Sequence, residues 1–246
     1  MSVERQCMLV IPNCSGSLGD CVSITALFKK RKGKIVFLRN PITENVLSKV
    51  YDGIAEVEFS DKSQDCCPET NEELCYSQRI LNAFGVRDCN AIPELKVTEE
   101  EKMRVWAFIK KFKNPIAFNN TVGRPNDHEL ARYREMPDDL AEHLVSEQIK
   151  NGRTVLQYVL SNNYRPVKGA IPVFDIGIRH LIASYSLIGE YMGVDTGNYH
   201  VMLGVGGRAK VFIPPSTWHY NHKRHLYLDY AWQEEPKRVE YFVFDR

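Results

Sequence analysis

The chain has 246 residues, 43% of them hydrophobic and 26% charged, and its 32 Lys and Arg nearly balance 31 Asp and Glu at a formal net charge of +1. This length suits one large domain or two small ones, the balance leaves no global field to hold nucleic acid, and the apolar content excludes a disordered chain. No apolar run approaches the roughly 18 residues of a membrane span, and the opening Met1-Ser-Val-Glu-Arg-Gln lacks a signal-peptide core, so a soluble, cytoplasmic protein is expected.

Short apolar runs alternate with helical patterns, which points to βαβ units and mostly parallel sheets. Cys7–Pro12 reads as a buried first strand, followed by the small-residue loop Asn13–Gly19 and a helix from Asp20 to Lys32 that Gly33 ends. Lys34–Leu38 and Ile54–Phe59 read as the second and third strands, with a helix over Glu44–Tyr51 between them. Asp61–Asn71 is a polar loop and Glu72–Phe84 a helix; Glu99–Lys113 is an amphipathic helix with Met103, Trp106, Ala107 and Ile109 as its apolar positions. The pattern then restarts with a strand at Pro115–Phe118 and a long polar loop, Asn119–Met136. Pro137 suits a first helical turn, Asp138, Asp139 and Glu142 favour the positive end of the dipole, and Leu140, Leu144, Val145 and Ile149 make one apolar face. Thr154–Val159 is a strand, Ile178–Tyr185 a helix, Leu187–Met192 a strand, Thr196 to about Val205 a helix, and Lys210–Ile213 a strand. The expected division is into two α/β halves, residues 1–114 and 115–246. The seven cysteines (7, 14, 21, 66, 67, 75 and 89) are odd in number and form no C-x-x-C pair, so reduced, buried thiols are expected.

Two turns carry chemistry. Ser15-Gly-Ser-Leu-Gly-Asp20 joins the first strand to its helix, where glycine admits a close ligand and unpaired N–H groups face an anion. It lacks the Lys-Ser/Thr of a Walker loop and the third glycine of a dinucleotide fingerprint. Asp20 is read either as an ordinary N-cap or as a carboxylate at the carboxyl edge of a sheet, where open α/β folds place ligands. The second turn, Gly193-Val-Asp-Thr-Gly-Asn-Tyr-His200, joins a later strand to a helix whose first amides, around Thr196 and Gly197, could cradle a phosphate. Asp195 or Thr196 would cap that helix, and His200, four residues after Thr196, shares its face.

Taken together, these turns resemble the heptosyltransferase-like glycosyltransferases of family 9. Ser17-Leu-Gly-Asp-Cys-Val-Ser-Ile-Thr-Ala-Leu27 is similar to that family's S-L-G-D opening and the T-x-P-A-L of its helix; Asp195-Thr-Gly-x-x-His200 is similar to its D-S/T-G-x-x-H turn. Pro115-Ile-Ala-Phe118 followed by Arg134-x-Met-Pro137 is similar to its strand, loop and basic-x-Trp-Pro element, with Met136 at the tryptophan and Arg134 at a position where lysine is usual. The resemblance implies an α/β fold of GT-B type, two Rossmann-like halves with mostly parallel sheets facing across a cleft, acceptor on the N-terminal half and donor on the C-terminal half. It implies inverting transfer of a sugar from a nucleotide-diphosphate sugar, the co-substrate, to a glycan or glycolipid hydroxyl, with no cofactor and no metal.

In that scheme Asp20 is the general base, worth about 100- to 10,000-fold, and Ser17 and Gly19 belong to the acceptor-side loop. Arg134, Asp195, Thr196, Gly197, His200 and Thr121 form the donor side. Arginine keeps the lysine charge and adds a bidentate grip on phosphate, and helix dipoles with a cation replace a divalent ion. The segment Leu160–Arg165 lacks the carboxylate that family members place near the donor ribose, and Phe174 falls about where their base-contacting backbone lies. The alternative is a non-catalytic protein that binds a nucleotide sugar or glycan on the same fold.

Two further features have ordinary readings. The basic run Lys29-Lys-Arg-Lys32 with Lys34 falls at a helix end, where cations favour the dipole; the other reading is attraction to an anionic glycolipid or membrane surface. His219, His222 and His225 lie in a tyrosine-rich stretch, Trp218–Trp232, without a nearby cysteine or acidic cluster, and aromatic packing accounts for them better than a metal.

Overall fold

Strand-length apolar runs with β-branched residues bury both faces, and only a parallel sheet covered on two sides accommodates them. In a computed structural model of the chain, the residues described are 9–13, 18–29, 32–61, 92–122, 134–159, 164–174, 176–214 and 238–244. The first sheet has three parallel strands in the order β1 (Leu9–Asn13), β2 (Gly33–Leu38) and β3 (Glu56–Ser60). The second is built from β4 (Pro115–Asn119), β5 (Thr154–Tyr158), β6 (Ile171–Val173), β7 (Glu190–Val194), β8 (Arg208–Ile213) and β9 (Val239–Val243). Its order is β6-β5-β4-β7-β8-β9, every pair parallel. This is the doubly wound 3-2-1-4-5-6 arrangement, whose order reverses between β4 and β7.

Side chains of the second sheet alternate between two cores, as period-2 geometry demands. Ile116, Phe118, Val155, Met192, Val194 and Phe212 face a cluster closed by Ala141 and Val145 of helix α4 (Asp138–Lys150). Ala117, Leu156, Tyr158, Tyr191 and Val211 face the other cluster, which takes in α5 (Ile178–Ile188) and α6 (Gly197–Gly204). That second cluster continues without a break into the first sheet through Cys21, Val22 and Ile24 of α1 (Leu18–Ile24) and through Ile35 and Phe37 of β2. One apolar core therefore serves both sheets. Among the described residues, no helix is long and apolar enough to cross a membrane.

Several local expectations are corrected. The first helix starts at Leu18, two residues early, and gives way to a 3-10 turn over Thr25–Phe28. The Glu44–Tyr51 helix is two pieces: α2 (Pro41–Asn45), capped by the Asn40 side chain on the Ile42 and Thr43 amides, and a 3-10 turn over Leu47–Tyr51. In α3 (Glu99–Ile109) the buried residues are Val105 and Ile109, whereas Met103 and Trp106 are exposed. The helix turns its Glu101 edge inward together with Val105 and Ile109, and there the carboxylate meets Arg179 of α5, with Nε–Oε1 at 2.6 Å and Nη2–Oε2 at 2.7 Å. In α4, Val145 is buried but Ile149 is exposed, and Pro137 occupies the N-cap rather than the first turn. The α5 helix runs through Leu187 to Ile188, displacing the expected strand start, because Gly189 supplies the left-handed stop at φ 76°. Strands β6 and β9 carry no clear sequence signal: the first holds Pro172, and the second is largely solvent-facing.

Cys21 is buried, as expected of a core thiol. The other six cysteines, the helix expected at Glu72–Phe84 and the histidines at 219, 222 and 225 lie outside the described residues. So do Ser17 and most of the loop between Asn119 and Met136. Lys34 of the basic run lies in β2 and pairs with Glu58 at 2.7 Å.

Candidate active site

In a doubly wound sheet the carboxyl ends of the strands splay apart where the order reverses, and ligands bind in that crevice. Here the crevice lies beyond β4 and β7. The chain leaves β4 through Asn119, Asn120 and Thr121, all nearly buried, and leaves β7 through Asp195 and Thr196 into α6. The two strands approach closely: a Cβ on Gly193 would stand 2.2 Å from the Asn119 carbonyl oxygen. No larger residue fits at that point.

Thr196 is the N-cap of α6, with extended backbone (φ −143°, ψ 173°) and no side-chain cap bond. Its Oγ1 is buried beside the Tyr191 hydroxyl, but that hydroxyl donates to the Val194 carbonyl at 2.9 Å, leaving Thr196 Oγ1 without a well-formed hydrogen bond. The first amides of any α-helix lack intrahelical acceptors. A cap that does not use its hydroxyl leaves more of that donor capacity to a ligand. The helix itself is anchored: Asn198 Oδ1 accepts from the Tyr185 hydroxyl at 3.1 Å, and Arg238 binds the Leu203 carbonyl at the far end. Burial pushes the Tyr185, Tyr191 and Tyr199 hydroxyls well above their ordinary range, so these groups stay neutral near the site.

Arg134 approaches from the β4–α4 connection. Its Nη2 donates to the Asp195 carbonyl and stands 3.2 Å from the Asp195 carboxylate, while its Nε is buried with no hydrogen-bond partner. A guanidinium, an unpaired hydroxyl and a helix N-terminus thus converge on one spot, a combination suited to a phosphate.

The turn of the first half meets this spot. Helix α1 packs on α6 through bare backbone: a Cβ on Gly197 would lie 2.8 Å from Leu18 Cβ, and one on Gly19 would lie 2.8 Å from His200 Cδ2. His200 Nδ1 is 3.4 Å from Ser23 Oγ, a contact between residues 177 positions apart. Asp20 is the third residue of α1, so it is not the N-cap; its side chain lies outside what the structure describes. Gly19, Arg134, Asp195, Thr196, Gly197 and His200 therefore belong to one neighbourhood, with Thr121 at the adjoining strand end. Sequence reasoning missed Asn120, Gln157 and Arg165, which lie beneath it: Gln157 Nε2 donates to Asn120 Oδ1 at 2.8 Å and to the Arg165 carbonyl at 2.7 Å. A glutamine inside an otherwise apolar strand was the available signal. Phe174 is exposed and meets Tyr164 edge-on, ring centroids 4.9 Å apart. Among the described residues, no cluster of three or more His, Cys, Asp or Glu could hold a metal ion.

Two parallel α/β sheets, with a helix N-terminus at the switch point of the second and the helix of the first packed against it, define a GT-B-like fold. The particular likenesses are to glycosyltransferases. A glycosyl transferase of family 9 from Veillonella parvula DSM 2008 matches with a TM-score of 0.65 at 12% identity, over 100% of this chain and 87% of that one. The E. coli ADP-heptose LPS heptosyltransferase II matches at 0.60 and 10% identity, over 96% and 90% of the two chains. The E. coli heptosyltransferase WaaC, solved with ADP, matches at 0.54 and 9% identity, over 85% and 88%. No protein-family model matches the chain, and no curated protein matches it. At such identities the likeness is one of fold.

Proposed function

We propose that the protein is an inverting glycosyltransferase that moves a sugar from a nucleotide-diphosphate sugar to a hydroxyl of a glycan or glycolipid. The observation that carries this reading is the meeting of the two glycine turns: helices α1 and α6 present adjacent N-termini, with Arg134 Nε and Thr196 Oγ1 unpartnered beside them. One similar fold was solved with ADP, which supports a nucleoside diphosphate as the ligand class.

The acceptor binds on the side of residues 1–114, along the Ser17–Gly19 loop, and the donor on the side of residues 115–246. Asp20 takes the proton of the acceptor hydroxyl as its oxygen attacks the anomeric carbon. The bond from that carbon to the diphosphate oxygen breaks on the opposite face, so the configuration inverts and the electron pair leaves with the nucleoside diphosphate. The growing negative charge meets the amides of Gly197 and the residue after it, the Thr196 hydroxyl and the Arg134 guanidinium. These are preorganised donors that need no rearrangement as charge develops, and they take the place of a divalent ion. Asp195 holds Arg134 in place, while Thr121 and His200 border the sugar-diphosphate.

A thermal-shift and product-release screen over ADP-, UDP-, GDP-, CDP- and dTDP-sugars tests the proposal. One nucleotide class should raise the melting temperature through linkage. With an acceptor, Asp20→Asn should keep that shift and lose transfer by at least about 100-fold. Wild-type transfer by Asp20→Asn would remove the assigned base. Binding with no release of nucleoside diphosphate would leave a sugar-nucleotide-binding protein.

A further inference from the structure

We infer that Arg165 is a positioning residue for Arg134, the strut that holds its guanidinium at the N-terminus of α6; this deepens, and rests on, the donor reading above. A long cation on a loop is a poor phosphate ligand unless its backbone is fixed, because ordering it at each binding event costs entropy. Arg165 fixes the backbone that follows Arg134. Its Nη1 donates to Glu135 Oε2 at 3.0 Å, and its Nη2 donates to the Met136 carbonyl at 2.7 Å and pairs with Asp138. One guanidinium therefore grips residues 135, 136 and 138 together.

The other end of the strut is set in the sheet. The Arg165 carbonyl accepts from Gln157 Nε2 at 2.7 Å and from Asn120 Nδ2 at 3.2 Å, and the two amides bond each other. Gln157 and Asn120 are 2% and 1% exposed, so their geometry is locked by packing. The Met136 N–H closes the circuit on the Asn120 carbonyl at 3.0 Å. A continuous polar path thus leads from the carboxyl ends of β4 and β5 to the backbone two residues after Arg134. Lysine in place of Arg165 would keep the charge but could not grip two carboxylates and a carbonyl in one plane. A merely structural surface pair predicts something different, since the Asp138 arm is 78% exposed and worth little by itself.

The test compares Arg165→Met and Arg165→Lys with the wild type by amide hydrogen exchange and by binding of ADP, UDP, GDP, CDP and dTDP. In Arg165→Met the Met136 amide should exchange about tenfold faster or more, with the β4 and β5 amides unchanged. Affinity for the preferred diphosphate should fall about 10- to 100-fold, and Arg165→Lys should recover part of both losses. The Arg134→Met, Arg165→Met double variant should bind no more weakly than Arg134→Met alone, because the strut acts only through that guanidinium. Unchanged Met136 exchange, or losses that add in the double variant, would overturn the assignment. A wild type that binds none of the five diphosphates would sink the donor reading, and the exchange result would still decide whether Arg165 anchors this segment.

Discussion

Glu101 offers a quantitative check on how the first half of the chain is held to the second. Its carboxylate sits in a two-point contact with Arg179, which also donates to the Lys96 carbonyl at 2.7 Å and the Lys49 carbonyl at 3.3 Å. That contact, reinforced by the Thr98 amide at the head of α3, holds the Glu101 carboxyl down from 4.5 to about 2. A carboxylate with a depressed folded-state pKa contributes stability that is full above its unfolded value and is lost as pH falls toward the folded one. At 1.36 kcal/mol per unit, the ceiling is about 3 kcal/mol at pH 7, falling to about 1 kcal/mol at pH 3. Glu101 keeps 19% of its side-chain surface in water, so solvent screening brings the pH 7 contribution to roughly 1–2 kcal/mol. The variant Glu101→Gln should lose that amount in urea unfolding at pH 7, read as a lower midpoint at unchanged slope. The gap to the wild type should shrink by at least about half at pH 3 and close near pH 2. An equal gap at pH 7 and pH 3, or no gap at pH 7, would refute the argument that this ion pair fastens α3 to α5.

Other consequences are testable alongside it. Gly193→Ala would place a methyl group 2.2 Å from the Asn119 oxygen, so it should cost about 3 kcal/mol or more in thermal unfolding; a wild-type melting temperature would show that β4 and β7 do not approach as described. Thr196→Val removes a buried hydroxyl with no well-formed hydrogen bond, so stability should change by less than about 1 kcal/mol. The same variant should weaken nucleoside diphosphate binding by about fivefold or more, as measured by calorimetry, and unaltered affinity would take the hydroxyl out of the site. Transfer activity should survive exhaustive chelation with EDTA, and loss restored by one divalent ion would overturn the metal-independent scheme.

Much of the fold was legible because burial leaves a local trace. KIVFL, PIAF and TVLQY are strand-length apolar runs, and the structure places them in β2, β4 and β5. The α4 helix was legible through Pro137, its acidic first turn and its spacing of apolar residues. The α3 face was misread for a reason the pattern could not reveal. Met103 and Trp106 are as apolar as core residues, yet the side of the helix that packs inward carries Val105, Ile109 and Glu101, whose partner Arg179 lies 78 positions away. Edge strands β6 and β9 escaped notice because an edge or solvent-facing strand needs no apolar run.

A length of 246 residues allows one domain or two, and sequence by itself determined two glycine turns, each between a strand and a helix, with their candidate residues. Local propensity is enough for that, since a strand, a small-residue turn and a helix start are written within about a dozen neighbouring positions. Only the tertiary structure decided that the turns form a single place, with Gly19 against His200, Gly197 against Leu18, and one apolar core beneath both sheets. It also decided that Arg134 reaches Asp195 and that Arg165 braces the segment between them. Those contacts join residues tens to nearly two hundred positions apart. Their existence depends on the order in which parallel strands are laid side by side, a property of the chain's path through space that no short stretch of residues encodes.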